Sequence, residues 1–410
     1  MHKAWKVLIV CCGMASASMG LLANSVGVFF GPVSEALGVM KGSFALHITI
    51  GLVAGSFLSP YIGVWMYKVR NFKILLWMGA IVTCGSVFMM GYANTLWQFY
   101  ILGLIRGLGF FFLQMIPITI LINNWFEKNV GMATSIVTSF SGIMGAIGTT
   151  ATQMLIDSFG WQMSYKIYGL AAFLMCVPIL IYPFALKPRS EGLQPYGHDD
   201  SVPKPAFKMG NRNFNKKQST YIAFVIASVL MVSMTVLSSY FPAYAQTLGK
   251  TAALGSLMTS ATMIGNVVSK LIFGVMADKI DAFKTTVLML AINLISLVII
   301  TITHQDMLMI GAAFMFGTIF SMGAVAVPLL TRYFFGEENF NSAYGTLTFF
   351  TGIFSAVATT LVGYLYDFTG TYVTVFVMFI VFHLFIYFSL LWISRKTGKH
   401  VFHKNEEELA

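Results

Sequence analysis

Charged residues are scarce in this sequence: Asp, Glu, Lys and Arg make up 10% of its 410 residues, whereas a soluble domain carries roughly 25%. Such a chain cannot cover a globule with a solvated surface, which excludes an ordinary soluble protein. Apolar runs fill the sequence instead, each near the roughly 20 residues that a helix needs to cross a hydrocarbon core about 30 Å thick. The alternating pattern of a membrane β-barrel is lacking. We therefore predict an all-α, polytopic membrane protein.

The sequence also lacks the motifs of enzymes. Its four cysteines, Cys11, Cys12, Cys84 and Cys176, lie in apolar segments without metal-ligand spacing, so we expect free thiols. We find no nucleotide-binding loop, nucleophile triad or metal cluster, and we expect neither catalysis nor a cofactor or metal. The first apolar run continues to Phe30, which is too long for a signal peptide, so we interpret it as the first membrane helix.

Twelve apolar runs predict twelve spanning helices, at 5–30, 43–66, 74–92, 96–122, 131–156, 164–186, 219–246, 254–277, 285–303, 307–331, 342–366 and 371–394. Both termini then lie on one side, together with most of the 25 Lys and Arg residues; only Lys41, Lys166 and Lys250 lie opposite. The positive-inside rule makes that side cytoplasmic, in a plasma or inner membrane. The net charge of +10 is therefore a topology signal. We expect a lipid bilayer as partner, no nucleic acid, and a monomer.

A polar segment divides the chain into two halves. Residues 187–218 are rich in proline and in charge, which is typical of a solvated linker. We predict a six-helix bundle at 1–186, a cytoplasmic linker at 187–218, a second bundle at 219–394 and a cytoplasmic tail at 395–410. The halves also resemble each other, because 63–73 aligns with 274–284 and the same alignment pairs Pro117 with Pro328. Two repeats around a central site are the architecture of a secondary transporter.

The segment 274–284 resembles the loop signature of the major facilitator superfamily, with Gly274, Asp278 and Lys279 in the matching places. The resemblance implies that these three residues form a conformational latch, in which the acid meets basic residues and a helix N-terminus. The first-half copy has Tyr67 where the family has aspartate. Arg106-Gly107-x-Gly109 also resembles a superfamily motif.

Three further stretches resemble the monocarboxylate and oxalate/formate transporters of that superfamily. They are the connection at 124–133, the connection at 335–345, and a helix 8 pattern in which Asn266 precedes Lys270 by four residues. Lysine replaces the arginine of the family pattern, and Asn266 stands where animal monocarboxylate transporters carry aspartate. Residues 342–366 lack the second basic residue of the oxalate exchangers, which favours a singly charged substrate.

No carboxylate lies deep in any predicted span, whereas two basic residues, Arg106 and Lys270, do lie deep in their spans. An unpaired charge at the centre of a bilayer costs about 2.5–3.5 kcal/mol, so an anionic substrate is a natural partner for these two cations. At 1.5 Å per residue, Arg106 lies about 16 Å from the outer end of its helix and Lys270 about 12 Å from the cytoplasmic interface. Both depths are near the midplane, where substrate sites of this architecture lie.

The repeat adds a second argument for Lys270. Helix 2 carries a stripe of small residues at Gly51, Gly55, Ser59 and Gly63, which favours close helix packing. The aligned stripe of helix 8 is Thr262, Asn266, Lys270 and Gly274. We therefore predict that this face of helix 8 lines a polar cavity. The alternatives are that Lys270 snorkels to the interface and that Arg106 donates to carbonyl groups of helix 1.

Three further polar residues are candidates for the transport pathway. Asn24 and Gln114 are predicted to contact substrate, with buried interhelical hydrogen bonds as the alternative. His47 titrates near neutral pH and is a candidate for proton coupling; the simpler expectation is an interfacial histidine. Aromatic residues are expected in the core and at the interfaces.

These patterns together predict a secondary active transporter that moves a small organic anion, monocarboxylate-like, by alternating access. A counter-anion or a proton would be the coupled partner. Two alternatives stay open. A transporter of neutral or cationic drugs would be favoured by a carboxylate within the membrane. A non-transporting membrane sensor would be favoured by an appended soluble domain.

Overall fold

The computed structural model describes residues 2–198, 218–336 and 339–397. Eleven of its helices are long and apolar enough to cross a membrane. One of them, Val130–Cys176, has 47 residues and would be about 70 Å long as a single helix, more than twice the hydrocarbon thickness. Gly160 interrupts it with φ 74° and ψ 166°. The element is therefore two antiparallel crossings, which gives twelve spanning helices in the described residues.

The helices follow the predicted order. Their bounds are α1 Lys3–Leu37, α2 Lys41–Lys68, α3 Phe72–Met90, α4 Leu96–Trp125, α5 130–159, α6 161–176 with a last turn at Pro178–Ile181, α7 Ser219–Thr247, α8 Ala252–Ile280, α9 Ala282–Ile302, α10 Asp306–Phe335, α11 Phe340–Thr369 and α12 Val373–Lys396. The even number of crossings places the start of α1 and the end of α12 on one face, the terminal face. The predicted all-α, twelve-helix fold is confirmed.

Four helices are irregular, and they occupy equivalent positions in the two halves. In α1 a π-helical stretch at Ser16–Ala23 is followed by a 3-10 turn at Val26–Phe29, and α7 has a 3-10 stretch at Met234–Tyr240. The helix α4 is interrupted at 111–114, and α10 near Gly317 and at Met322–Ala326. Interrupted helices in related positions typically surround the substrate site of a transporter.

Glycine permits the closest helix packing within each half. A Cβ on Gly107 of α4 would clash with the backbone oxygen of Gly51 of α2, and a Cβ on Gly55 would meet the backbone of Gly107. The predicted packing stripe of α2 therefore lies against α4, as expected for small residues. In the second half, Gly265 of α8 has the same close contact with the Phe314 oxygen of α10.

The two halves meet on the face opposite to the termini. Thr49 of α2 donates to the Ala356 oxygen of α11, and its hydroxyl also lies 2.7 Å from that of Thr360. On the other side of the interface, α5 contacts α8. There the Ser260 hydroxyl donates to the Ala146 oxygen at 2.6 Å and lies 2.8 Å from the Thr150 hydroxyl. These contacts seal the opposite face.

Part of the predicted linker packs on the first six helices. Pro188–Glu191 forms a 3-10 turn, and Glu191 pairs with Lys3 at 2.7 Å. Tyr196 donates its backbone N–H to the Trp125 oxygen at the end of α4. The remainder of the predicted linker, 199–217, and the predicted tail beyond 397 lie outside the described residues.

Candidate functional site

Two separate cavities lie between the halves. The large chamber, about 790 Å³, is on the terminal side and is bordered by α1, α4, α5, α8, α10 and α11. The small chamber, about 170 Å³, lies towards the opposite face, under the contacts that seal it. The irregular stretches of α1, α7 and α10 all contribute to these walls.

Among the residues that the structure describes, Lys270 is the one charged residue in the wall of the large chamber. Its side chain is half-buried, and no hydrogen bond or ion pair to it is found among the described residues. The chamber is otherwise lined mainly by apolar side chains and by hydroxyl groups. A cation in that setting lacks the partner that membrane charges usually have. The unpaired ammonium group of Lys270 would therefore attract an anion.

A stripe of hydroxyl groups on α5 lies in the same wall as Lys270: Thr134, Ser135, Thr138 and Ser139. Sequence reasoning missed this stripe. Its signal is present in the sequence, because the two Thr-Ser pairs are four residues apart and so share one helix face. Thr134 donates to the Val130 oxygen. Hydroxyl groups beside a cation supply further hydrogen bonds for a bound anion.

Arg106 lies in the wall of the small chamber together with Asn24. The guanidinium group is 7% exposed, donates from Nη2 to the Leu22 oxygen of α1 at 2.8 Å, and lies 5.2 Å from the ring centroid of Phe110. Its Nε is buried without an acceptor. The hydrogen bond to α1 was the predicted structural alternative for Arg106. The arginine makes that bond and also faces the cavity.

The two buried cations therefore do not share a site. Their depths along α4 and α8 led us to expect both near one midplane site, but the structure places them in different chambers on either side of it. Depth along a helix does not determine which cavity a side chain enters. The rotation of each helix also decides this, and the sequence alone does not report it.

Two predicted contact residues line neither chamber. Asn266 is 3% exposed; its backbone lies against Gly317 of α10, and its side-chain Nδ2 lies beside Gly142 of α5. Its Oδ1 has no partner among the described residues. Gln114 sits at the interruption of α4, where it precedes Met115–Trp125. The predicted polar cavity face of α8 is therefore reduced to Lys270 and Gly274.

His47 is buried, which contradicts the expectation of an interfacial histidine. Its side chain is 1% exposed and packs beside Phe44 and Phe99. Nδ1 lies 2.5 Å from the Phe44 oxygen, and Nε2 has no partner among the described residues. The first turns of α2 are covered by neighbouring helices, so closeness to a helix end did not bring exposure.

The predicted latch can be followed only in part. Gly274 lines the large chamber, where a Cβ would meet no atom within 4 Å. Lys279 is exposed near the end of α8, and the side chain of Asp278 lies outside the described part of the chain. In the first half, the Tyr67 hydroxyl pairs with the Asn124 side chain at 3.2–3.3 Å. The latch itself stays a prediction.

The sequence matches the family model of the Major Facilitator Superfamily over residues 9–251 and 222–409. The chain belongs to the major facilitator superfamily. Among its relatives is monocarboxylate transporter 12 of Xenopus laevis, 24% identical over 320 residues, which cover 73% of this chain and 69% of the relative. Monocarboxylate transporter 4 of Rattus norvegicus is 24% identical over 60% of this chain and 51% of its own length. The predicted resemblance is confirmed.

Solved structures with this fold include the nucleoside transporter NupG, with a TM-score of 0.72 and 13% identity over 96% of this chain and 99% of that one. A bacterial homologue of the human lysosomal transporter Spinster, in an inward-facing and unoccupied conformation, has a TM-score of 0.69 and 10% identity over 97% of this chain and 96% of that one. At such identities the likeness concerns the fold alone. The chain is a multi-pass membrane transporter of this superfamily.

Proposed function

We propose that this transporter is a secondary active carrier for small organic anions of the monocarboxylate type. The carrying observation is Lys270, an unpaired lysine in the wall of a chamber of about 790 Å³ between the two halves. A carboxylate bound there would neutralise the ammonium group as a point charge. Thr134 and Ser135 of α5 face the same space and would bind the second carboxylate oxygen. The names of its relatives point to the same substrate class.

The two faces of the transporter differ in access, one sealed and one open, and this asymmetry supports an alternating-access mechanism. The contacts between α2 and α11 seal the opposite face. On the terminal side a Cβ at Gly274 or Gly345 would meet no atom within 4 Å, which supports free access to the large chamber. Binding of an anion would screen the charge of Lys270 and allow the halves to rock about the site.

We propose that transport of the organic anion is coupled either to exchange with a second anion or to symport of a proton. Asn266 stands where a proton-accepting aspartate would have to be, which argues against symport through that position. His47, buried in α2 without a partner for Nε2, is the group that we propose for a proton if symport operates. Uptake into liposomes with and without an internal anion separates the two modes, because only exchange needs the internal anion.

The membrane context is part of the same proposal. The excess of Lys and Arg on the terminal face supports cytoplasmic termini, and we propose a plasma or inner membrane as the location. The site lies within one chain, so a monomer is sufficient for transport.

The test is the variant Lys270→Gln in proteoliposomes supplied with labelled lactate or acetate. We expect uptake to fall at least tenfold, because a neutral amide cannot replace the charge, while insertion and folding persist. The matched control is Lys250→Gln, which removes an exposed lysine that pairs with Asp306 and should leave uptake unchanged. Undiminished uptake by Lys270→Gln contradicts the proposal.

A further inference from the structure

The small chamber is a narrow, partly open pocket with its own cation. It is bordered by α1, α2, α4, α7, α10 and α11 and holds about 170 Å³, and none of its lining residues belongs to the large chamber. Both halves contribute to it, since Arg106 comes from α4 and Ser239 and Ser355 come from α7 and α11. It is therefore distinct in position from the site at Lys270.

Arg106 reaches this chamber without a charge partner. The side chain is 93% buried, and no ion pair with a carboxylate is found for it among the described residues. The hydrogen bond to Leu22 uses one of five N–H donors of the guanidinium group, and Nε is buried without an acceptor. A buried charge that is compensated by one carbonyl group and one aromatic ring, without a counter-ion, remains costly.

The wall facing Arg106 supplies hydrogen-bond donors and no competing acid. Asn24, Ser239 and Ser355 line the chamber, and no hydrogen bond from their side chains is found within the described residues. Thr235, Ser238 and Thr359 complete the polar part of the wall, and each donates its hydroxyl to a backbone oxygen. An amide, two free hydroxyls and a guanidinium group together bind an anion.

The volume limits the ligand. A cavity of about 150 Å³ holds a benzene molecule, so about 170 Å³ holds a carboxylate of about two to five carbon atoms and is too small for the whole of a two-ring acid. The large chamber, at about 790 Å³, admits both. The two chambers therefore differ in the size of the anion that they accept.

We infer that the transporter has a second anion site in the small chamber, centred on Arg106, which is selective for small monocarboxylates and is filled in addition to the site at Lys270. This inference rests on the proposed function for the substrate class, although the site is a different one. The anion enters this chamber when the halves rearrange, and it occupies the position nearest to the opposite face.

The test is equilibrium binding of radiolabelled acetate and 2-naphthoate to the purified, full-length transporter. We expect two acetate molecules and one naphthoate molecule per chain, because only the large chamber admits the two rings. Arg106→Gln should bind one acetate and retain its naphthoate. Lys270→Gln should bind one acetate and lose its naphthoate.

The results separate the two assignments. One acetate per wild-type chain, or equal loss of acetate and naphthoate in Arg106→Gln, overturns the second site. Naphthoate binding that survives in Lys270→Gln overturns the role of Lys270 and leaves the second site standing.

A variant with Arg106 intact covers the case in which Arg106→Gln fails to fold. Ser355→Leu fills the small chamber and should remove one acetate without affecting naphthoate, whereas Thr348→Leu adds a similar side chain at an exposed position of α11 outside both linings and should retain both acetates. Two acetates in Ser355→Leu contradict the inference.

Discussion

Gly107 is the tightest point in the packing of the first half, because its missing side chain lets α4 touch the backbone of α2 at Gly51. We expect Gly107→Ala to destabilise the protein. The added methyl group must separate two helices, and overpacking of this kind costs about 1–3 kcal/mol. That cost exceeds the gain of about 0.5–1 kcal/mol that alanine brings to a helix. A lower melting temperature in detergent is the expected observation.

Gly85 supplies the matched control in the same half. It lies inside α3, and a Cβ there would meet no atom within 4 Å. Gly85→Ala should therefore raise the melting temperature slightly through helix propensity alone. If both variants melt at the same temperature, the close approach of α2 and α4 is not what makes Gly107 necessary.

Single residues also show how far the sequence could locate the site. Lys270 was predictable, because an apolar helix that carries an unpaired lysine must turn it to a polar space. Asn266 is one turn away on the same stripe, yet its side chain is buried beside Gly142 of α5. His47 is near a helix end but is buried. Asn24, a neutral amide, does line a chamber, and Arg106 lines a different one from Lys270, so residue type alone did not determine which cavity a side chain enters.

The irregular stretches of the helices could not be predicted from the sequence in the way that the helices themselves could. The π-helical and 3-10 stretches of α1 and α7 consist of small and apolar residues like those of the regular turns around them. Tertiary packing selects these local conformations. The number and order of the helices could be predicted from runs of apolar residues, but the deviations that shape the chambers could not.

The first turn of α2 is capped by a residue from the other half. Asp367, near the end of α11, accepts from the N–H groups of Lys41 and Gly42 at 3.2 and 2.8 Å. The N-cap residue of α2 itself, Met40, has no side chain able to accept these bonds. In the repeat-related helix α8, Thr251 provides its own cap. One half thus depends on the other for an acceptor that a helix start requires.

Removal of this cap should favour opening of the opposite face. In Asp367→Ala the stability of the closed conformation should fall by about 1 kcal/mol, as for other N-cap deletions. This corresponds to about a fivefold decrease in the ratio of closed to open conformations. Distances between spin labels at Met40 and Phe368, both exposed, would report the change. Asp306→Ala is the control, because Asp306 pairs with Lys250 of its own half. An equal shift in both variants contradicts the role of the cap.

Transport by rocking requires the two halves to separate where they now touch. The Thr49 and Thr360 hydroxyl groups are 2.7 Å apart across that contact, close enough for a disulfide between cysteines at these positions. Oxidised Thr49→Cys/Thr360→Cys should stop uptake, and a reductant should restore it. Each single variant should transport equally with and without oxidant, since the native cysteines are buried. Continued uptake by the oxidised pair contradicts alternating access through this contact.

The seal on the opposite face consists largely of hydroxyl groups and backbone oxygens, with Asp367 as its acidic member. Neutral groups of this kind are bound by water almost as well as by each other, so breaking the seal exchanges one set of hydrogen bonds for another. Dissolved ions screen charges and have little effect on hydroxyl pairs. In the proposed alternating-access cycle, the balance between the closed and open conformations would therefore depend on hydration more than on ionic strength, and transport would persist in dilute and in saline surroundings alike.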